Sequence, residues 1–134
     1  MKPSEMSDEE LVICILQELF GLEEGPEKDW NKYRGRIKLT RKGEEKLKFG
    51  DAPYFELHSP DHWWMVVREM IKLGYRFSMW LERDNFGIQF YKDRLPNDDD
   101  IWHSAFSTTE GRAVLEAALA AAKKYQAHQI GGGT

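Results

Sequence analysis

The densest charge in the chain lies between residues 28 and 48. Lys28, Lys32, Arg34, Arg36, Lys38, Arg41, Lys42, Lys46 and Lys48 stand there against only Asp29, Glu44 and Glu45, so the segment carries +6. The whole 134-residue chain has a formal net charge of −4, which leaves −10 on the remainder. Six of these cations, Arg36, Lys38, Arg41, Lys42, Lys46 and Lys48, would contact phosphates if one surface gathered them. Such contact reads no sequence and weakens as salt rises. Two plainer roles compete: a charged edge that keeps strands from pairing between molecules, or a partner for the acidic remainder. The acidic total argues mildly against a dedicated nucleic-acid binder.

Other residue types that could do chemistry are scattered. His58-Ser-Pro-Asp61-His62 has ligand-type side chains, but His58 precedes a helix start and His62 falls inside the helix. A further ligand would have to come from as far away as His103. Polar residues around a helix entry are the plainer reading, and no metal or other cofactor is expected. Asp98-Asp-Asp100 reads as a solvated turn before it reads as a cation site. The chain contains no phosphate-loop glycine–lysine pattern, no dinucleotide glycine fingerprint and no nucleophile elbow. No catalytic residue is assigned. Cys14 lies in the apolar run Leu11–Leu16 with no basic neighbour to activate it, and reads as a structural thiol. Trp30, Trp80 and Trp102 could stack bases or anchor an interface, though core packing is the commoner use of such rings.

The elements that must position these residues follow from length and patterning. The length suits one domain, and seventeen aromatic rings are too many for a chain that stays unfolded. A lone cysteine, an acidic N-terminus and the lack of any apolar run of about 20 residues predict a soluble protein of a reducing, cytoplasmic compartment. Ser7-Asp-Glu-Glu10 is a capping box opening a helix over about 8–20. Arg36-Ile-Lys-Leu-Thr40 and Lys46-Leu-Lys-Phe49 alternate, which predicts a basic β-hairpin within an insertion at about 32–52. Ser59-Pro60-Asp61 starts a second helix whose apolar stripe is Trp63, Val66, Val67, Met70 and Ile71. Three alternating stretches follow: Tyr75–Glu82 with Tyr75, Phe77, Met79 and Leu81 on one face, Phe86–Tyr91 with Ile88 and Phe90 inward, and Ile101–Phe106. A second capping box, Ser107–Glu110, opens a closing helix with an alanine-rich face. One domain over 1–127 with a disordered tail at 128–134 is expected.

Residues 60–124 thus predict helix, three-stranded antiparallel meander, helix. Trp80, Tyr91 and Ile101 would be stranded if the sheet had one covered face. The expectation is therefore an α+β fold arranged as an α-β-α sandwich, with the first helix opposite the other two.

The stretch Trp64-Met-Val-Val-Arg-Glu-Met-Ile-Lys-Leu-Gly-Tyr-Arg-Phe77, the strand segment Gly87-Ile-Gln-Phe90 and the helix entry Ser107–Leu119 resemble the phage ABA sandwich domain family of tailed phages and prophages. The likeness spans Pro60–Lys123 and rests on fold-determining residues. It implies a phage or prophage accessory protein of the host cytoplasm, and it brings no active site. Three functions follow as expectations: binding of a host or phage protein, sequestration of a small molecule or nucleotide, and weak nucleic-acid contact through the basic segment. The oligomeric state is not encoded in any of these patterns.

Overall fold

The computed structural model describes residues 2–22, 30–39, 41–47, 54–92 and 101–131. Within these, the side chains of residues 41, 42, 46, 101–103 and 123–131 are not described. After a short turn at Pro3–Glu5, the elements are α1 (Asp8–Glu18), β1 (Trp30–Asn31), β2 (Arg36–Lys38), α2 (Arg41–Leu47), β3 (Tyr54–Glu56), α3 (Pro60–Lys72), β4 (Arg76–Glu82), β5 (Asn85–Lys92), β6 (Ile101–Ser107) and α4 (Glu110–Gly131). The fold is α+β, with two three-stranded antiparallel sheets, ordered β1-β2-β3 and β4-β5-β6.

Local rules explain most of these boundaries. Ser7 caps α1 reciprocally: its hydroxyl accepts from Glu10 N–H and Glu10 Oε1 accepts from Ser7 N–H, at 3.2 and 3.1 Å. Pro60 opens α3 at its first helical position. Gly74 ends that helix with φ 96°, a conformation an L side chain resists, and Tyr75 N–H donates back to Met70 O. The chain then reverses into β4. The register Phe77↔Phe90, Met79↔Ile88 and Ile88↔Ala105 sets the inner face of the meander. Trp80↔Gly87↔Phe106 and Ser78↔Gln89↔Ser104 set the outer face.

Helices α3 and α4 both pack on the inner face of this sheet, and α1 packs on α4. The core joins Leu11, Val12, Ile15 and Leu16 of α1, Val66, Val67 and Met70 of α3, and Ile88 and Phe90 of β5. It runs through α4, where Ala113, Val114, Leu115, Ala117, Ala118, Leu119 and Ala121 have no exposed surface. A helix apolar around most of its girth belongs in the interior, with Arg112 and Glu116 on the remaining stripe, and its alanines let both neighbours approach closely. Gly111 extends this logic to the first turn: a Cβ there would stand 1.8 Å from the Leu57 carbonyl oxygen.

Four expectations change. The first helix lies behind α4, on the same side of the meander as the other helices, because α4 rather than the sheet offers the apolar surface it covers. The basic β-hairpin does not form. Arg36–Lys38 is a strand, but its partners are Trp30–Asn31 and Tyr54–Glu56, and Arg41–Leu47 is helical. Arg, Lys, Glu and Leu are good helix formers, and they outweigh the local alternation. The last helix begins at Glu110, so Ser107 ends β6 instead of capping. That helix also continues to Gly131, into the expected tail, through residues such as Lys123, Lys124, Gln126 and Ala127 that favour helix. Residues 132–134 lie outside the described residues. No helix among the described residues is long and apolar enough to cross a membrane.

Candidate functional site

Strand β4 is an edge of the large sheet, and α3 stands over it. On the helix, Trp63, Val66, Val67 and Met70 face the core, while Trp64 and Ile71 lie on the flank of that stripe. The spacing of seven residues stacks these two on one line along the helix. Trp64 meets Phe77 of β4 edge-on, with ring centroids 5.8 Å apart and planes at 84°. That contact places the flank at the β4 edge. Trp64 is 44% exposed, Ile71 50%, Leu73 at the helix end 38%, and Leu81 at the far end of β4 66%. The sequence pattern counted Ile71 in the core stripe and did not single out Trp64. Apolar periodicity marks which residues are greasy, not which flank lacks a cover.

The opposite flank of α3 is closed. His62 is buried and its Nδ1 accepts from Glu56 N–H at 2.7 Å, which fixes the neutral ring with its proton on Nε2. Its ring also tilts against Phe55, 5.7 Å away. Burial lowers its pKa, opposed by the nearby charges of Glu56 and Asp61. His58 instead lies exposed against Gly35. His58 and His62 therefore serve different neighbours, and His103 has no described side chain. Among the described residues no group of three or more His, Cys, Asp or Glu could hold a metal ion. Asp98–Asp100 lies outside the described residues.

The six cations of the predicted binding patch are not seen as one surface. Arg36 is engaged inside the small sheet: its Nη1 lies 3.2 Å from Glu56 Oε1, its guanidinium stacks 4.1 Å over the Tyr54 ring, and its Nε is buried. Lys38 is exposed on the same strand. Arg41, Lys42 and Lys46 fall in α2 with side chains that are not described, and Lys48 lies outside the described residues. Of the three tryptophans, Trp30 is half-buried against the core and Trp80 lies on the outer face of the meander. Trp102 takes the outer-face register opposite Tyr91, with no described side chain.

Two further features complete the surface. On the outer face, Trp80 lies over Gly87 and meets Phe106 edge-on at 5.7 Å, and its Nε1–H donates to Glu82 Oε2 at 3.5 Å. Near the first turns of α3 and α4, a cleft of about 330 Å³ is lined by His58, Pro60, Trp63, Phe86 and residues 108–111. Its hydroxyls, Thr108 and Thr109, and its titratable groups, His58 and Glu110, show no hydrogen-bonded pairing with one another that would activate a nucleophile. No family model, curated protein or solved structure matches the chain.

Proposed function

We propose that this domain acts by binding another protein, through the flank of α3 and the adjoining strand β4. The observation that carries this reading is the concentration of exposed apolar side chains on two successive elements. Six large apolar side chains stand exposed among the described residues, and four of them, Trp64, Ile71, Leu73 and Leu81, belong to α3, its C-terminal turn and β4. Single exposed apolar residues are ordinary on a protein surface, whereas adjoining ones mark interaction sites. Trp64 has the size and rigidity of an interface anchor. The resemblance of residues 60–123 to phage ABA sandwich domains supports the further proposal that the protein is a phage or prophage accessory factor acting on a host or phage protein in the cytoplasm.

Affinity capture from the cells that make the protein tests this. A single polypeptide should be recovered in stoichiometric amount with the wild type and lost with Trp64→Glu or Leu81→Lys. Phe106→Ser, on the other face of the sheet, should retain it. Recovery of no stoichiometric polypeptide would sink the reading. The cleft between the starts of α3 and α4 favours one alternative, a small-molecule binder, because its volume and its Trp63 and Phe86 lining suit a small ligand. Native mass spectrometry of the purified protein would reveal such a ligand directly.

A further inference from the structure

We infer that the turn joining β1 to β2 binds a nucleotide unit of a single-stranded nucleic acid, its base against Tyr33 and its phosphate on Lys32 and Arg34. This site is separate from the α3 flank and does not depend on it. The turn is held by a dense set of bonds. Asn31 Oδ1 accepts from the backbone N–H of Tyr33 at 3.0 Å and of Arg34 at 3.1 Å. Asn31 O accepts from Gly35 N–H at 2.8 Å. Gly35 sits at φ 63°, a conformation that suits glycine, and its carbonyl accepts from Leu57 N–H at 2.9 Å. These bonds tie the turn to the segment after β3 and fix where its side chains leave the backbone. Tyr33 leaves it into water: at 90% it is the most exposed large apolar side chain among the described residues.

A hollow of about 400 Å³ lies beside that ring, lined by Trp30, Asn31, Lys32 and Tyr33. Two of its four lining residues are aromatic, and an aromatic face accepts any base in a stack. Asn31 spends its Oδ1 on the turn, which leaves the two hydrogens of Nδ2 for acceptors on a base edge. Lys32 Nζ stands 5.4 Å from the centroid of the Tyr33 ring, so a charge lies beside the stacking surface. Arg34 is exposed and forms no ion pair among the described residues.

Charge selects the ligand. Trp30–Leu39 contains Lys32, Arg34, Arg36 and Lys38 and no acid. Glu56, the one acid in the strands of the small sheet, is engaged by Arg36 at 3.2 Å. Glu27 and Asp29 precede the turn in sequence and lie outside the described residues. A cationic ligand finds no counter-charge on the turn, and a neutral sugar makes no use of the lysine and arginine. An anion that carries a flat ring uses the aromatic, amide and cationic groups together. A duplex offers phosphates but keeps its base faces in the stack, whereas a single strand exposes both. With two cations to meet phosphate, binding is weak and falls as salt rises.

Fluorescence anisotropy of the full chain at low salt tests this, with labelled oligo-uridine and oligo-deoxyuridine of about 12 nucleotides as probes. Both should bind. Tyr33→Ser should weaken binding about tenfold, while Tyr33→Phe retains it, because the ring and not the hydroxyl carries the stack. Lys32→Ser combined with Arg34→Ser should make the log–log salt dependence shallower by about 1.4. All three side chains are exposed, so these variants should fold, and circular dichroism checks that they do. Trp64→Glu, on α3, should bind as the wild type does. Absence of binding overturns the inference, and so does binding that is indifferent to Tyr33→Ser or lost in Trp64→Glu. Tighter binding of a duplex of the same length overturns the stacked base. Displacement by uridine monophosphate at a matched concentration of phosphate would make a free nucleotide the ligand and overturn the strand. Attachment to phosphatidylserine vesicles with no oligonucleotide binding would make a lipid surface the partner and overturn the nucleic acid. A preference between the two probes identifies RNA or DNA as the source of the strand and supports the site.

Discussion

Trp80 roofs Gly87. A Cβ built on Gly87 would stand 2.4 Å from Trp80 Cε2, so the glycine is the reason the indole can lie across the sheet and reach Phe106. The ring in turn covers a backbone position that has no side chain of its own.

Gly87→Ala should lift that ring. The clash is with a side chain, so the fold should survive, at a cost of about 1 kcal/mol. The Trp80 indole N–H resonance, assigned by its loss in Trp80→Phe, should move, and the cross-peaks between Trp80 and Phe106 should vanish. Unchanged cross-peaks would show that the indole is not seated on the glycine.

Gly111→Ala should behave quite differently. Intrinsic helix propensity alone says that alanine for glycine stabilises by about 1 kcal/mol. Here the new Cβ meets the Leu57 carbonyl oxygen, a backbone atom that cannot swing aside. The expected outcome is a loss of about 3 kcal/mol or more, a fall in Tm of roughly 10 °C. Thermal denaturation reads the sign, and a rise in Tm would contradict the close packing of α4 on the turn before α3.

Glu116 carries a penalty at neutral pH. It is 5% exposed and its Oε2 accepts no hydrogen bond among the described residues. Arg112 Nε lies 3.8 Å away, while the rest of that guanidinium serves Asp8 Oδ1 and Met6 O. Burial raises the Glu116 pKa, Arg112 opposes the rise and Asp8 adds to it. An acid whose folded pKa is raised resists ionising only in the folded state. It therefore costs stability as pH rises through the unfolded value near 4.5, and the full cost is present above the folded pKa. Glu116→Gln should be more stable than the wild type at pH 7 by about 1 kcal/mol. The gap should close as pH falls to about 4.5. Urea melts at both pH values check it, and a variant less stable at pH 7 would show that the Arg112 contact outweighs burial.

His62 predicts the opposite pH trend. Its folded pKa is lowered, so the unfolded chain takes up a proton first as pH falls. Stability is complete above the unfolded value near 6.5 and drains away between there and the folded pKa. Protonation also turns the Nδ1 acceptor into a donor facing Glu56 N–H, a loss of roughly 1 kcal/mol. The fall in urea midpoint from pH 7.5 to 5.5 should be smaller in His62→Gln than in the wild type. An equal fall in both would remove His62 as the cause.

Legibility in the sequence followed the length of the repeating signal. The meander was readable because Phe77, Met79, Ile88 and Phe90 alternate through strands of seven and eight residues. The capping box at Ser7 was readable because two side chains three positions apart satisfy each other's backbone N–H. The small sheet was not, since its strands have two or three residues, too few for alternation to declare itself, and Ile37 pairs with Phe55 across an intervening helix. The position of α1 was hidden for a different reason. Its apolar face specifies burial, and only the alanine surface of α4 specifies where. The edge strand was half visible: Tyr75 to Glu82 was recognised as a strand, but that it ends the sheet is a property of its neighbours.

The salt bridge from Arg112 to Asp8 spans 104 positions of sequence. Helix α1 and the meander both complete their cores against α4, which comes last. During synthesis the first helix must therefore leave the ribosome without its partner, its Leu11, Val12, Ile15 and Leu16 uncovered until residues past Ala122 emerge. Contacts this distant in sequence form late, because the long intervening chain must be ordered before they can close.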